Sequence, residues 1–290
     1  MSRRGALLFT AMCLIWGMPY LLIKVAVEDL SPAMLVFSRA ALAALVLLPI
    51  AAFRRELRPL LPRWVPLSAF AAIEIAGPFF LLGSAEQEIS SSLTGLLIAG
   101  VPLVGAVIAL ATRRRDRLGF QSAVGLLVGV LGVAAIVGVN GEGARAIPLL
   151  EVTLVAICYA IGPVILDRWL ADLPAVGVIG AALGLTALAY VPIVAFGDAG
   201  ETPSATAAGS VLALAVVCTA LAFLLFFALI TEIGPMRATV ITYVNPAVAA
   251  VLGVAILEED FTIGMGVGLV LVLAGSVLAT RRRRSAPAPA

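Results

Sequence analysis

Histidine is absent from this chain of 290 residues, lysine occurs once, and charged residues make up only 12% of it. Without histidine there is no imidazole to ligate a metal or to complete a serine–histidine or cysteine–histidine pair. The three cysteines, Cys13, Cys158 and Cys218, each fall inside an apolar run, which gives neither a disulfide nor a metal-ligand spacing. No Gly-x-Ser-x-Gly elbow and no P-loop occurs. Gly264-Met265-Gly266-Val267-Gly268 imitates a nucleotide loop, but no strand precedes it and lipid-type residues surround it. No basic run is interleaved with aromatics, which speaks against nucleic acid as a partner. The expectation is no cofactor, no metal and no catalytic residue.

What the chain has in abundance is apolar surface. Hydrophobic residues reach 62% and the mean hydropathy is +1.14. So few charges cannot cover a soluble domain of this length, so the lipid bilayer is the expected surrounding. A bilayer core takes roughly 20 apolar residues per helix. Breaks in the apolar runs predict spans at 5–26, 32–53, 64–84, 91–112, 118–139, 147–169, 174–196, 207–230, 236–257 and 263–280. The first run resembles a signal peptide, yet it is longer than an ordinary one and lacks a convincing cleavage site, so it reads as a span. Lipid-exposed backbone must bond internally, so the spans are helices. The predicted fold class is an all-α, polytopic membrane protein with ten transmembrane helices. Residues 285–290 read as a disordered tail.

Charge tests that number. With the N-terminus inside, 16 of the 19 basic residues fall on one side: Arg3, Arg4, Arg54, Arg55, Arg58, Arg63, Arg113, Arg114, Arg115, Arg117, Arg168, Arg237 and Arg281 to Arg284. Glu28, Asp29, Glu86, Glu88, Glu142, Asp198, Glu201, Glu258, Glu259 and Asp260 fall on the other. One helix more or fewer would split the arginines between both faces. The positive-inside rule therefore favours ten spans in a cell inner membrane, both termini cytoplasmic.

The halves repeat at a spacing of about 144 residues. Ala11, Cys13 and Gly17 recur as Ala156, Cys158 and Gly162, Glu88-Ile89 as Glu232-Ile233, and Pro102 as Pro246. Five spans per half is odd, so the second repeat, 146–284, must be inverted relative to the first, 1–140. Equivalent loops agree by carrying opposite charge: the arginines at 113–117 correspond to Glu258-Glu259-Asp260. Two inverted repeats suit a carrier that exposes a central site to each side in turn; a duplication that merely built a stable bundle is the plainer reading.

Trp16-Gly17 with Lys24, Phe37-Ser38-Arg39, and Tyr243-Val244-Asn245-Pro246 leading to Leu257-Glu258-Glu259 together resemble the EamA-type carriers of the drug/metabolite transporter superfamily, over nearly the whole chain. The resemblance implies a bacterial inner-membrane carrier of small metabolites such as amino acids or nucleobases, with a cavity between the halves. A passive channel and an intramembrane enzyme are the alternatives.

Several residues invite a role in transport. Glu74 is the only carboxylate expected deep in a span. It reads either as a proton-binding group, since desolvation disfavours charge, or as a counter-ion or interhelical hydrogen-bonding group. Lys24 and Arg39 can bind an anionic group of a small-molecule substrate, Arg39 as a fork for a carboxylate; snorkelling to the interface is the other reading of Lys24. Trp16, Tyr20 and Lys24, four apart, share one helical face, suited to a cavity wall or to packing. Tyr243 and Asn245 bring polar groups to the ninth span. Pro102 and Pro246 are a candidate pair of hinges, or shape packing only. Gly125, Gly129, Gly264 and Gly268 permit close helix contact in spans five and ten, within a monomer by default or in a dimer.

Overall fold

The computed structural model describes residues 2–112, 120–138, 145–197 and 202–280. The arginine cluster at 113–117, Glu142, Asp198, Glu201, the arginines at 281–284 and the tail at 285–290 lie outside the described residues. The described residues form helices α1 (Arg3–Ile15), α2 (Pro19–Ala26), α3 (Pro32–Phe53), α4 (Arg58–Glu88), α5 (Ser91–Ile98), α6 (Val101–Thr112), α7 (Phe120–Gly138), α8 (Ala146–Leu170), α9 (Ala175–Phe196), α10 (Ala205–Ile233), α11 (Pro235–Ala238), α12 (Ile241–Leu257) and α13 (Ile263–Thr280). Nine helical stretches among the described residues are long and apolar enough to cross a membrane, with α1 and α2 counted as one and α5 and α6 as another; Ile241–Leu257 is a shorter apolar helix.

Serines start many of these helices. Ser2, Ser31, Ser90 and Ser204 each accept a hydrogen bond from the backbone N–H three residues on, satisfying one of the donors a helix start leaves free. Two stops use a left-handed residue other than glycine, Arg55 (φ 58°) and Glu258 (φ 56°). The residue after each is a glutamate that reaches another helix. Glu56 accepts from Gly177 N–H at 3.0 Å, in the first turn of α9. Glu259 accepts from Ser91 and Ser92 N–H at 2.7 and 2.8 Å, at the start of α5. Both carboxylates sit where the helix dipole favours an anion.

Three of the expected spans are interrupted. Gly17 and Met18 N–H both turn back to Leu14 C=O, separating α1 from α2. A Cβ at Gly17 would collide with Val248, so the break lets the chain lie directly on α12. A second break at Ala99-Gly100 separates α5 from α6, and a third at Thr239-Val240 separates α11 from α12. The third span begins at Arg58 and runs to Glu88, longer at both ends than its apolar run suggested. Its first turns form a 3-10 helix, Arg58–Arg63.

Helices of the two halves pack chiefly on each other: α1 and α2 against α10, α3 against α9, α4 against α8, α5 against α12, and α7 against α13. In the last pair the glycines interlock. A side chain at Gly125, Gly132, Gly268 or Gly275 would meet backbone atoms of the opposite helix, so these small residues are used within the chain. Large apolar residues facing outwards, such as Leu45, Leu127, Leu188 and Val270, are exposed, whereas Leu47, Ile136, Leu183 and Val272 are buried.

Loop contacts link helix ends into sets. At one end, Lys24 bonds the C=O of Glu86 and Ile89, Asp29 accepts from Ser204, Arg145 pairs with Glu88 at 3.0 Å, and Glu259 holds Ser91 and Ser92. Elsewhere, Glu56 meets Gly177, and Arg63 reaches Trp169 C=O and Asp172. In the first set Asp29, Glu86, Glu88, Arg145 and Glu259 are residues that the charge pattern assigned to the acidic face, whereas Arg63 in the second was assigned to the basic face.

Candidate transport site

The residues that chemistry would use converge where α2, α3, α4, α8 and α10 meet. Arg39 of α3 is buried, 6% exposed. Small neighbours on its helix, Ala40, Ala43 and Ala44, bring the surrounding helices close. Its Nε donates to Thr219 Oγ1 at 3.0 Å, and its guanidinium carbon lies 3.7 Å from the centre of the Phe79 ring. Tyr20, Tyr159, Cys218 and Glu86 are within its electrostatic reach. No carboxylate among the described residues is within the ion-pair distance of 4.0 Å, and its other N–H groups make no hydrogen bond among them. Burying a charge costs several kcal/mol even after relaxation. The Thr219 bond and the Phe79 face each return about 2 kcal/mol. Four of the five guanidinium N–H donors make no hydrogen bond among the described residues.

Glu74 lies in a π-helical turn, Ala71–Ala76. A matching turn, Val216–Leu221, holds Thr219 at the corresponding place in the second half. Such turns widen a helix and often occur at functional positions. The Glu74 side chain packs where a Cβ at Gly162 would stand, and its Oε2 is buried without a hydrogen-bond partner among the described residues. Tyr159 is within electrostatic reach of both Glu74 and Arg39.

Glu86 corrects the sequence reading. The charge pattern put it in an outer loop and left Glu74 as the only deep carboxylate, but α4 continues to Glu88 and Glu86 is fully buried. Neither of its oxygens has a hydrogen-bond partner among the described residues. Ile75, Phe79, Leu82 and Glu86 are all buried, at spacings of four, three and four. Glu86 thus continues an inward helical stripe, a signal present in the sequence.

The stripe of Trp16, Tyr20 and Lys24 is not one continuous helical face, because the break after Ile15 intervenes. Trp16 packs against Phe226 and Phe223, with ring centres 4.7 and 5.8 Å apart. Tyr20 is buried in the polar patch. Lys24 Nζ donates to Glu86 C=O at 2.6 Å and Ile89 C=O at 3.0 Å, capping the end of α4. In the orientation its surroundings require, Asn245 Nδ2 donates to Cys13 C=O at 3.2 Å and Ile241 C=O at 2.9 Å, steadying the end of α1. Tyr243 lines an apolar groove of about 580 Å³ with Leu273, Ala274, Val277 and Leu278, not the patch around Arg39. Pro102 follows the Ala99-Gly100 break directly, whereas Pro246 is buried within the uninterrupted α12. Thr219, Phe79 and Glu86 are the site residues that the sequence did not single out.

The sequence pattern of the EamA-like transporter family matches residues 3–138 and again 147–281. A protein of Escherichia coli strain K12 named "Uncharacterized inner membrane transporter YedA" is 28% identical over 287 residues, covering 92% of this chain and 90% of that protein. An "Uncharacterized transporter" of Archaeoglobus fulgidus is 24% identical over 271 residues, covering 92% and 95%. A crystal structure at 20% identity shares the fold with a TM-score of 0.67, covering 95% of this chain and 96% of the other.

Proposed function

Because the chain belongs to the EamA-like transporter family, we propose that this multi-pass membrane protein is a secondary carrier that moves small metabolites across the bacterial inner membrane by alternating access. Ten spans arranged as two inverted five-helix halves, both termini cytoplasmic, form the frame. Pairing of helices across the halves, the two corresponding π turns and the segregation of loop charges support it. The N-terminal repeat is 1–140 and the C-terminal one 146–284.

The observation that carries the reading is Arg39: a buried guanidinium with no carboxylate within ion-pair distance among the described residues, tied to Thr219 of the other half. A buried, unpaired cation attracts an anion, and one that bridges two halves ties the anion's binding to their relative position. The substrate is therefore a small solute with an anionic group, which Arg39 grips while Tyr20 and the Phe79 ring bound the rest. Glu74 is the proton-coupling group. It needs no metal or cofactor, and the glycine interface between α7 and α13 serves a monomer.

Solute flux in proteoliposomes across a panel of small carboxylates, with and without a pH gradient, tests this. Saturable uptake with counterflow is expected. Unsaturable flux without counterflow would mark a channel, and product formation without net flux an enzyme.

A further inference from the structure

Glu86 has no part in the reading above. It is 0% exposed, and neither carboxyl oxygen receives a hydrogen bond among the described residues. Charged and titratable groups face it from every side: Lys24 and Tyr20 from α2, Arg39 from α3, and Glu259 from the turn after α12. Lys24 is near enough to bond the backbone C=O of Glu86, yet it gives its protons to that carbonyl and to Ile89 rather than to the carboxyl. Arg39 likewise turns its Nε to Thr219. A carboxylate so placed would draw both cations, whereas a neutral carboxylic acid leaves them where they are.

We propose that Glu86 is a second proton-exchanging residue, distinct from Glu74, and that its ionised form is the stand-in counter-ion of Arg39 and Lys24 when no anion occupies the site. The proton leaves the Glu86 carboxyl for water, and the carboxylate then competes with Thr219 for Arg39 and with the Glu86 and Ile89 carbonyls for Lys24. An anion arriving at Arg39 removes the charge that stabilises the carboxylate, and Glu86 takes a proton back. One anion and one proton thus enter the site together. This consequence rests on the reading of Arg39 as the anion site; the titration itself does not.

Two neighbours show what the exchange moves. Lys24 caps the end of α4, and Glu259 holds the start of α5 through Ser91 and Ser92. Ser91 Oγ is buried beside them without a partner among the described residues. Withdrawing Lys24 from the α4 terminus loosens the α4–α5 corner at the acidic end, where a carrier must part to admit solute. Charge at Glu86 and opening of that end are coupled through a single ammonium group.

The test is an infrared titration of the full chain in lipid, with no solute present, following the carbonyl stretch of protonated carboxyl groups. Wild type is expected to show a band, lost on raising the pH, that Glu86→Gln lacks and Glu74→Gln keeps. In Arg39→Gln, where substitution stands in for neutralisation by an anion, the band should survive to a proton concentration about tenfold lower, the size of effect an opposite charge in electrostatic reach exerts. Lys24→Gln should act in the same direction and serves if Arg39→Gln does not fold. The proposal is overturned if Glu86→Gln leaves the spectra unchanged, or if both cation variants lose the band at the wild-type pH. Because no solute is added, failed transport would leave this result standing, and a failed titration would leave the carrier reading standing.

Discussion

Arg39 and Thr219, 180 residues apart in the chain, are joined by a single hydrogen bond of 3.0 Å between the two halves of the protein. Thr219 in turn donates to Leu214 C=O at 2.7 Å, five residues back and just before its own π turn. The hydroxyl is therefore fixed as the acceptor of Arg39, and the widened turn supplies the space.

Removing the cation should matter more than removing its anchor. Arg39→Gln is expected to weaken half-saturation for an anionic solute at least about a hundredfold, whereas Thr219→Val removes one hydrogen bond of about 2 kcal/mol, near thirtyfold. Counterflow at a series of solute concentrations measures both. Equal half-saturation in Arg39→Gln and wild type would count against the site.

Glu74→Gln should insert normally and lose flux driven by a pH gradient. Uptake assayed with and without an imposed gradient reads this, and pH-dependent transport at the wild-type level would dismiss Glu74 as the coupling group. Gly162→Ala places a methyl group where the Glu74 carboxyl now lies, and it should impair the same gradient-driven flux.

Sequence alone reveals the apolar frame and much of the site, and the reasons differ by residue. Span positions follow from hydropathy, and Glu74 and Arg39 stand out because charge inside an apolar run is costly. Thr219 is legible only through the repeat, as the counterpart of Glu74, since a threonine in a membrane helix is otherwise unremarked. Glu86 was misplaced because a charge near the end of an apolar run looks like a loop; only its register with Ile75, Phe79 and Leu82 shows that it points inwards. The interruption at Trp16-Gly17 was hidden by an apolar run that continues through it, and it is stabilised by Asn245 from the far half.

The paired glutamates at the helix starts should be matched contributors to stability. Glu259→Gln and Glu56→Gln each leave a weaker acceptor at a helix start and are expected to lower stability by about 1 kcal/mol. Thermal midpoints of the purified protein check this, and a variant as stable as wild type would show that its latch contributes nothing.

Between α7 and α13, Gly132→Leu would drive a side chain into the backbone of Val272 and Gly268. The expected outcome is a large loss of folded protein at the membrane. Leu131→Ala, on the exposed face of the same helix, should have little effect. Fluorescence-detected size-exclusion profiles separate the two.

Asp29 offers a pH signature outside the spans. The Ser204 side chain and then its backbone N–H hold the Asp29 carboxyl below its ordinary value. A lowered value means the tie is present above about pH 4, the usual aspartate range, and fades as the pH falls through the folded value. The stability difference between wild type and Asp29→Asn should therefore shrink on acidification below about pH 4. A difference that grows there would reverse the sign.

The central claim is that the two halves are mutually flipped, so that Arg55 and Glu258, each ending its helix in the left-handed region before a glutamate, look out on opposite faces of the membrane. Single cysteines at these two positions, in a chain freed of Cys13, Cys158 and Cys218, can be labelled in intact cells by a membrane-impermeant thiol reagent. Position 258 is expected to react from outside and position 55 only after the cells are opened; reaction of both from one side would contradict the account.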